Sequence, residues 1–284
     1  MSAGLSRFKA GLGRRFPCLR KQYRILKTRK AVRIISELIP DFRHYRSEQI
    51  LYLYSIAAKR GFKDPEDYCR GLINNEEELA WLKEHLTLSS TLFFRGKDDW
   101  DVFRQYCLPR LQAEKQIRVW CAGCSSGEEV YSIILALTDM FAPEQIAVLA
   151  TDYADELLEK CRAGTYPLAA YSAIPEQYRK YLRVSGEAFT FTDEIRQCVK
   201  TANLNLLTAD YPADCSLVLC RNVLLFFKPA VRKAIHRKLA ASVAKGGFLF
   251  LSTETDRDFP IQFPGQMSLH RFSAQCIYEK SGRQ

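Results

Sequence analysis

The spacing of apolar positions changes near residue 116, and the change divides the chain. Before it, apolar side chains recur every three or four positions, as in Val32, Ile35, Leu38 and Ile39, then Ile50, Leu51, Leu53, Tyr54 and Ala57. That period lines one side of a helix. Pro40, Gly61 and Pro65 punctuate the run. Glu76, Glu77 and Glu78 stand where acids favour a helix start. Residues 34–90 therefore read as a small all-helical domain. Beyond 116, the runs IRVWCAG, IAVLATD, SLVLCRNV and GGFLFLST alternate with the amphipathic stretches EEVYSIILALTDM, DELLEKCRAG and PAVRKAIHRKLAASVA. Buried strands alternating with helices predict an α/β domain whose parallel sheet is covered on both faces, here over 91–284. The tail, SLHRF then SAQCIYEK, reads as a further strand or a terminal hairpin. Residues 164–204 break the alternation with prolines, aromatics and a period of two near 188–192. They read as an inserted subdomain with a short antiparallel piece, a common place for partner contacts.

Charge adds a third segment. Residues 1–33 hold eleven Lys or Arg and no acid, whereas the rest carries 31 basic and 32 acidic side chains. A near-neutral body thus follows a basic leader, which suits an anionic partner or a solvated arm. No apolar run reaches the roughly 18–20 residues that span a bilayer, so no transmembrane segment is expected. The first residues lack a secretory pattern. Ten cysteines scattered through strands and helices suit reduced thiols, and the expected compartment is cytoplasmic.

The chemistry gathers where IRVWCA runs into GCSSGEE and then a helix. A glycine turn lets backbone approach a ligand, and the helix start that follows favours an anion. Gly123-x-x-x-Gly127 is not the pyrophosphate fingerprint. It suits a ligand with a single carboxylate, such as S-adenosylmethionine, with Glu129 facing a positive end. Asp152 ends the second strand, where an acid accepts ribose hydroxyls. A plain strand-turn-helix, with Asp152 capping the next helix, remains the alternative.

TLFFR at 91–95, RVWCAGCSSGEEVYS at 118–132, ATDYADELLEKCRAGTY at 150–166, NLL at 205–207 and CRNVLLFF at 220–227 occur in this order. Together they resemble the protein-glutamate methyltransferases of bacterial chemotaxis, the CheR type, over roughly residues 30–280. The resemblance implies a doubly wound, Rossmann-like S-adenosylmethionine-dependent methyltransferase domain behind a helical N-terminal domain, with a small antiparallel insertion. It implies S-adenosylmethionine as cofactor and S-adenosylhomocysteine as product. It places Ser89, Thr91 and Arg95 over the cofactor, Glu129 at its methionine portion and Asp152 at its ribose. Gly123 lies in the cofactor turn, Asn205 and Leu206 lie beside the adenine, and Cys220 and Arg221 lie under the cofactor. Arg95 and Arg221 are the candidate catalytic residues, holding the attacking carboxylate by a two-point contact. The competing role for each arginine is an internal ion pair with Glu129 or Asp152. The implied acceptor is the acidic helical region of a chemoreceptor or related sensory protein.

Four departures from the family pattern stand out. Ser89 replaces an asparagine, Phe226 replaces a tyrosine, and LSTE at 251–254 replaces G-H-S-E. The helix carrying the family's arginines reads QILYLYSIAAKRG here, with Tyr52, Leu53, Tyr54 and Ile56 where charge is usual and Lys59 and Arg60 at its end. A methyltransferase acting on nucleic acid or a small molecule ranks lower, because RNVLLFF lacks the proline pair of amine-methylating enzymes. A cofactor-binding regulator without activity is the other alternative. Cys121 and Cys124 form a C-x-x-C read as plain thiols, and His44, His85, His236 and His270 show no metal spacing. The insertion is short around 184–191, so no tether to a receptor C-terminal peptide is expected. Titrating such a peptide into the protein checks this, and measurable binding would overturn it.

Overall fold

The computed structural model describes residues 29–45, 48–85, 91–252, 267–272 and 275–281. The chain forms two units, one of 1–88 with Phe226–Lys228, the other of Ser89–Leu225 with Pro229–Gln284. Residues 1–28 of the basic leader, Ser89, and Thr253 and Glu254 of the LSTE stretch lie outside the described residues.

The first unit is helical, as its period requires. Helices α1 (Arg29–Leu38), α2 (Glu48–Lys59), α3 (Pro65–Gly71) and α4 (Glu76–His85) surround Ala31, Ile35, Phe42, Leu53, Ile56, Tyr68 and Leu82. The Asp64 carboxylate accepts from the Glu66 N–H at 2.8 Å and so starts α3. Helix α1 spans residue 33, with Ala31 and Ile35 one turn apart on its buried side. Of the four apolar residues expected on the partner face of α2, Leu53 and Ile56 instead enter the core. Arg60 lies 4.0 Å over the Trp81 ring and pairs with Glu78 at 2.8 Å. Phe227 stacks on Tyr45 with centroids 5.2 Å apart, which ties Phe226–Lys228 to this unit.

The second unit opens with α5 (Lys97–Val102) and is built on seven strands. Strands β1 (Ile117–Ala122), β2 (Ile146–Asp152), β6 (Val199–Asn203), β7 (Cys215–Cys220) and β8 (Val243–Ser252) are parallel. The hairpin β9 (Met267–Phe272) and β10 (Gln275–Lys280) adds antiparallel strands, giving the order β6-β2-β1-β7-β8-β10-β9. Three helices serve the sheet. Helix α6 (Glu128–Leu137) and α7 (Asp155–Ala163) pack on β2, and α9 (Pro229–Ser242) packs on β7 and β8. Val119, Cys121, Leu217 and Leu219 join the core with α6. The alternate residues Trp120, Val218, Leu249 and Leu251 are buried on the opposite face. The apolar strand pattern of a doubly wound sheet is thereby explained.

A separate three-stranded antiparallel sheet joins β3 (Thr165–Pro167), β5 (Ala188–Phe191) and β4 (Leu182–Ser185), followed by the short helix α8 (Asp193–Arg196). This is the inserted piece, but it is shorter than 164–204. Val199–Asn203 pairs with β2 in the main sheet, from Val148↔Val199 to Asp152↔Asn203. Its alternation of half-buried and exposed residues is that of an edge strand, which concealed it in the sequence.

His236 on α9 is buried, and desolvation, with Arg232 one turn away, pushes its pKa from 6.5 to about 4. The unfolded imidazole takes up a proton below pH 6.5, and the folded one does so only near pH 4. The contribution to stability is therefore full above pH 6.5 and is lost as pH falls toward 4. The loss is on the order of 3 kcal/mol. Urea unfolding of wild type and His236→Leu across this range checks it. The variant is expected to show the shallower pH slope.

Candidate functional site

The turn after β1 is held in shape by the end of β2. The Gly123 and Cys124 N–H groups donate to the Thr151 carbonyl at 2.8 and 2.9 Å. The Ser125 N–H donates to Asp152 Oδ2 at 2.8 Å, while Asp152 Oδ1 accepts from the Tyr153 and Ala154 N–H groups at 2.8 and 3.2 Å. Asp152 thus clamps the glycine turn and the two residues before α7, whose N-cap position, Ala154, has no side-chain cap bond. Burial pushes its carboxyl upward, against the three N–H bonds. Gly123 and Gly127 have φ of +77° and +95°. A Cβ on Gly123 would stand 2.4 Å from Val223 Cγ2. A Cβ on Gly127 would stand 2.5 Å from Cys161 Sγ and 2.9 Å from Tyr166 Oη. Both glycines are required by conformation and by space.

The inserted sheet reaches this turn directly. Tyr166, on β3, donates its hydroxyl to the Ser126 carbonyl at 2.7 Å. Its burial pushes the phenol far above its ordinary pKa, so it stays a donor. Phe93 packs on the same ring at 4.9 Å and on Phe189 and Phe191 at 5.9 Å. Phe94 stacks on Tyr178 at 5.6 Å and has φ +49°, a left-handed backbone that a bulky residue rarely adopts. Its N–H is held by Ser132 Oγ at 2.9 Å, and that hydroxyl donates to the Glu128 carbonyl at 2.6 Å. One buried ring, one half-buried ring and one hydroxyl therefore fix TLFFR beside the start of α6, and Thr91 and Arg95 stay half-buried.

Arg221 follows β7, and its side chain is 7% exposed. Its Nη1 donates to Glu129 Oε1 at 2.6 Å, and its Nη2 donates to Asp99 Oδ2 at 3.1 Å and to the Arg95 carbonyl at 3.0 Å. Both terminal nitrogens of Arg221, expected to hold the acceptor, are engaged within the protein. The competing ion pair with Glu129 is the one formed, and Asp99 joins it. Asn205 Oδ1 accepts from the Leu207 N–H at 2.9 Å, and Leu206 is buried. The Leu204 N–H donates to the Asp152 carbonyl at 2.9 Å, so this segment begins at the end of β2. Cys220 is buried at the end of β7.

The structure therefore gathers Gly123, Asp152, Asn205 and Leu206 at one end of the strands, and joins Glu129, Arg221 and the Arg95 backbone through hydrogen bonds. Tyr166, Ser132 and Asp99 were not among the expected site residues. Tyr166 and Ser132 lie inside the quoted motifs, whereas Asp99 reads as one more acid at a helix start. Cys69, Cys107, Cys121, Cys124, Cys161, Cys198, Cys215 and Cys220 are buried and form no disulfide. Hydrogen bonding to Cys161 and burial push Cys124 well above 9, and burial does the same to Cys121. Among the described residues, no three His, Cys, Asp or Glu side chains form a metal-holding group. No helix among them is long and apolar enough to cross a membrane.

The donor set fits a nucleoside with an aminoacyl tail. Asp152 has lone pairs beyond its three N–H bonds, Glu129 carries a negative charge, and the glycines leave the turn open to close approach. Gly127→Ala is expected to cost about 1–3 kcal/mol through steric crowding and left-handed strain. Urea unfolding measures the loss, which Cys161→Ala in the same background should partly restore. Wild-type stability of the single variant would contradict the crowding.

Residues 89–258 match the family model described as CheR methyltransferase, SAM binding domain. A chemotaxis protein methyltransferase of Listeria innocua is 31% identical over 169 residues, 58% of this chain and 64% of that protein. One of Vibrio parahaemolyticus is 31% identical over 188 residues, 63% and 68% of the two chains. One of Borreliella burgdorferi is 28% identical over 222 residues, 72% and 78%. The match thus spans a little under two thirds of the Listeria relative. With the turn, the acid that ends β2 and the sheet order in place, the chain belongs to the CheR methyltransferase family, whose cofactor is S-adenosylmethionine.

Proposed function

We propose that this protein transfers the methyl group of S-adenosylmethionine to glutamate side-chain carboxylates of a partner protein, a chemoreceptor or related sensory protein. The observation that carries this reading is the anchoring of TLFFR to the glycine-turn helix through Ser132 and Phe94, in a chain whose relatives are named chemotaxis protein methyltransferases.

The cofactor supplies a methyl group activated by a positively charged sulfur. With the cofactor bound, Asp152 would hold the ribose, Glu129 the ammonium group, Asn205 and Leu206 the adenine, and Thr91 would stand over the cofactor. Arg95 holds the acceptor carboxylate with two parallel N–H donors, a geometry that lysine does not reproduce. A surface glutamate is already ionised at neutral pH, so no strong base is needed. Orientation and exclusion of water account for the rate. The methyl ester removes one negative charge from the acceptor, which alters repulsion between its helices. Among the described residues, the outer positions of α2 carry Ser55, Ala58 and Lys59, and Arg60 is held by Glu78. This supports a partner contact less basic than the family's.

Incubation with methyl-labelled cofactor and receptor-bearing membranes tests the reading. Label released by alkali as methanol is expected. Alkali-stable label would move the acceptor to another class, and bound S-adenosylhomocysteine without any transfer would make the protein a regulator. Arg95→Ala and Arg95→Lys are both expected to lower kcat on the order of 100-fold.

A further inference from the structure

Phe94 stands one residue before Arg95, and its φ of +49° is a strained backbone that persists only where its surroundings hold it. Ser132 Oγ holds its N–H. Its ring is held separately. The Tyr178 ring lies parallel to it with centroids 5.6 Å apart, and Trp100 meets it edge-on at 5.1 Å. Tyr178 belongs to the helical turn Glu176–Tyr181 of the inserted segment and is only 2% exposed.

Stacking alone lets a ring slide, whereas a hydrogen bond at its far end sets direction as well as distance. The Tyr178 hydroxyl donates to Asp139 Oδ2 at 2.7 Å and accepts from Arg104 Nη2 at 3.1 Å. Burial, helped by the Asp139 carboxylate, pushes this phenol up to about 12, so it keeps the proton it donates. Arg104 Nε also donates to Asp139 Oδ2 at 3.2 Å, and the guanidinium lies 5.9 Å from the Phe94 ring centre and 5.8 Å from that of Tyr178. Asp139 lies just beyond α6, and Arg104 lies in the turn Phe103–Cys107 that follows α5. Three segments thus meet at one phenol behind Phe94, and their polar heads bond one another, which suits holding a position rather than chemistry. We propose that Tyr178 is a positioning residue whose hydroxyl, fixed by Asp139 and Arg104, sets the Phe94 backbone and through it aims Arg95 at the acceptor carboxylate. This deepens the proposed function and rests on Arg95 holding that carboxylate.

Methyl transfer to receptor-bearing membranes, calorimetric titration with S-adenosylhomocysteine and amide exchange, all on the full chain, test this. Tyr178→Phe keeps the stacked ring and leaves Arg104 paired with Asp139, so it orphans no carboxylate. It should lower kcat about tenfold while S-adenosylhomocysteine affinity changes less than about twofold, because only the loop that holds the acceptor is disturbed. In an Arg95→Ala background the same substitution should change kcat less than about twofold, since its effect runs through that side chain. Exchange of the Phe94 amide should quicken about tenfold in Tyr178→Phe, with the Gly123 and Cys124 amides unchanged. If wild type transfers no methyl, or Arg95→Ala keeps full kcat, the Arg95 assignment and this proposal fall together. If Arg95→Ala is impaired and Tyr178→Phe keeps wild-type kcat, the proposal alone falls. An undiminished loss on top of Arg95→Ala, or a matching loss of S-adenosylhomocysteine affinity, would make Tyr178 a general support of the fold and also overturn it.

Discussion

The guanidinium of Arg221 is the contact on which the candidate site depends. It draws α5 through Asp99, α6 through Glu129 and the TLFFR backbone through the Arg95 carbonyl onto the end of β7. Such a cation cannot be buried alone, and removing one partner of a buried pair typically costs about 3–5 kcal/mol. Its partners come from segments 92–126 residues away in sequence. The site is therefore assembled only when the whole sheet unit is folded.

A second constraint acts at the glycine turn. Gly123, Ser125 and Gly127 all take left-handed backbone, with φ between +51° and +95°. These conformations persist because Thr151, Asp152 and Tyr166 bond the turn from three sides. The inserted sheet is thus more than a surface for partners. Through Tyr166 and the aromatic contacts of Phe93, it supports the turn and the loop that define the cofactor end. A single small subdomain supports both features, so its packing sets the precision of the site.

Periodicity revealed most of the architecture. The strands IRVWCA, IAVLATD and CSLVLC are nearly continuous apolar runs because helices or loops cover both their faces. The helices of the first unit were equally plain, since Ala31, Ile35, Leu53 and Ile56 keep a helical period. Val199–Asn203 was not plain. An edge strand of two half-buried and three exposed residues has no apolar run to announce it.

The sequence by itself marked the glycine turn and its flanking acids: the glycines, Asp152 and Glu129 are local signals, spaced by one strand, one turn and one helix. It also determined the order of the strands and helices other than Val199–Asn203, because burial imposes a period on neighbouring residues. Only the tertiary structure decided what Arg221 does. An arginine after a strand can face a substrate or an internal acid, and the choice depends on which carboxylate folding brings within about 3 Å. Here Asp99 and Glu129 are those carboxylates, and Gly96 leaves the space for Asp99. Long-range charge pairing has no period and leaves no pattern along the chain.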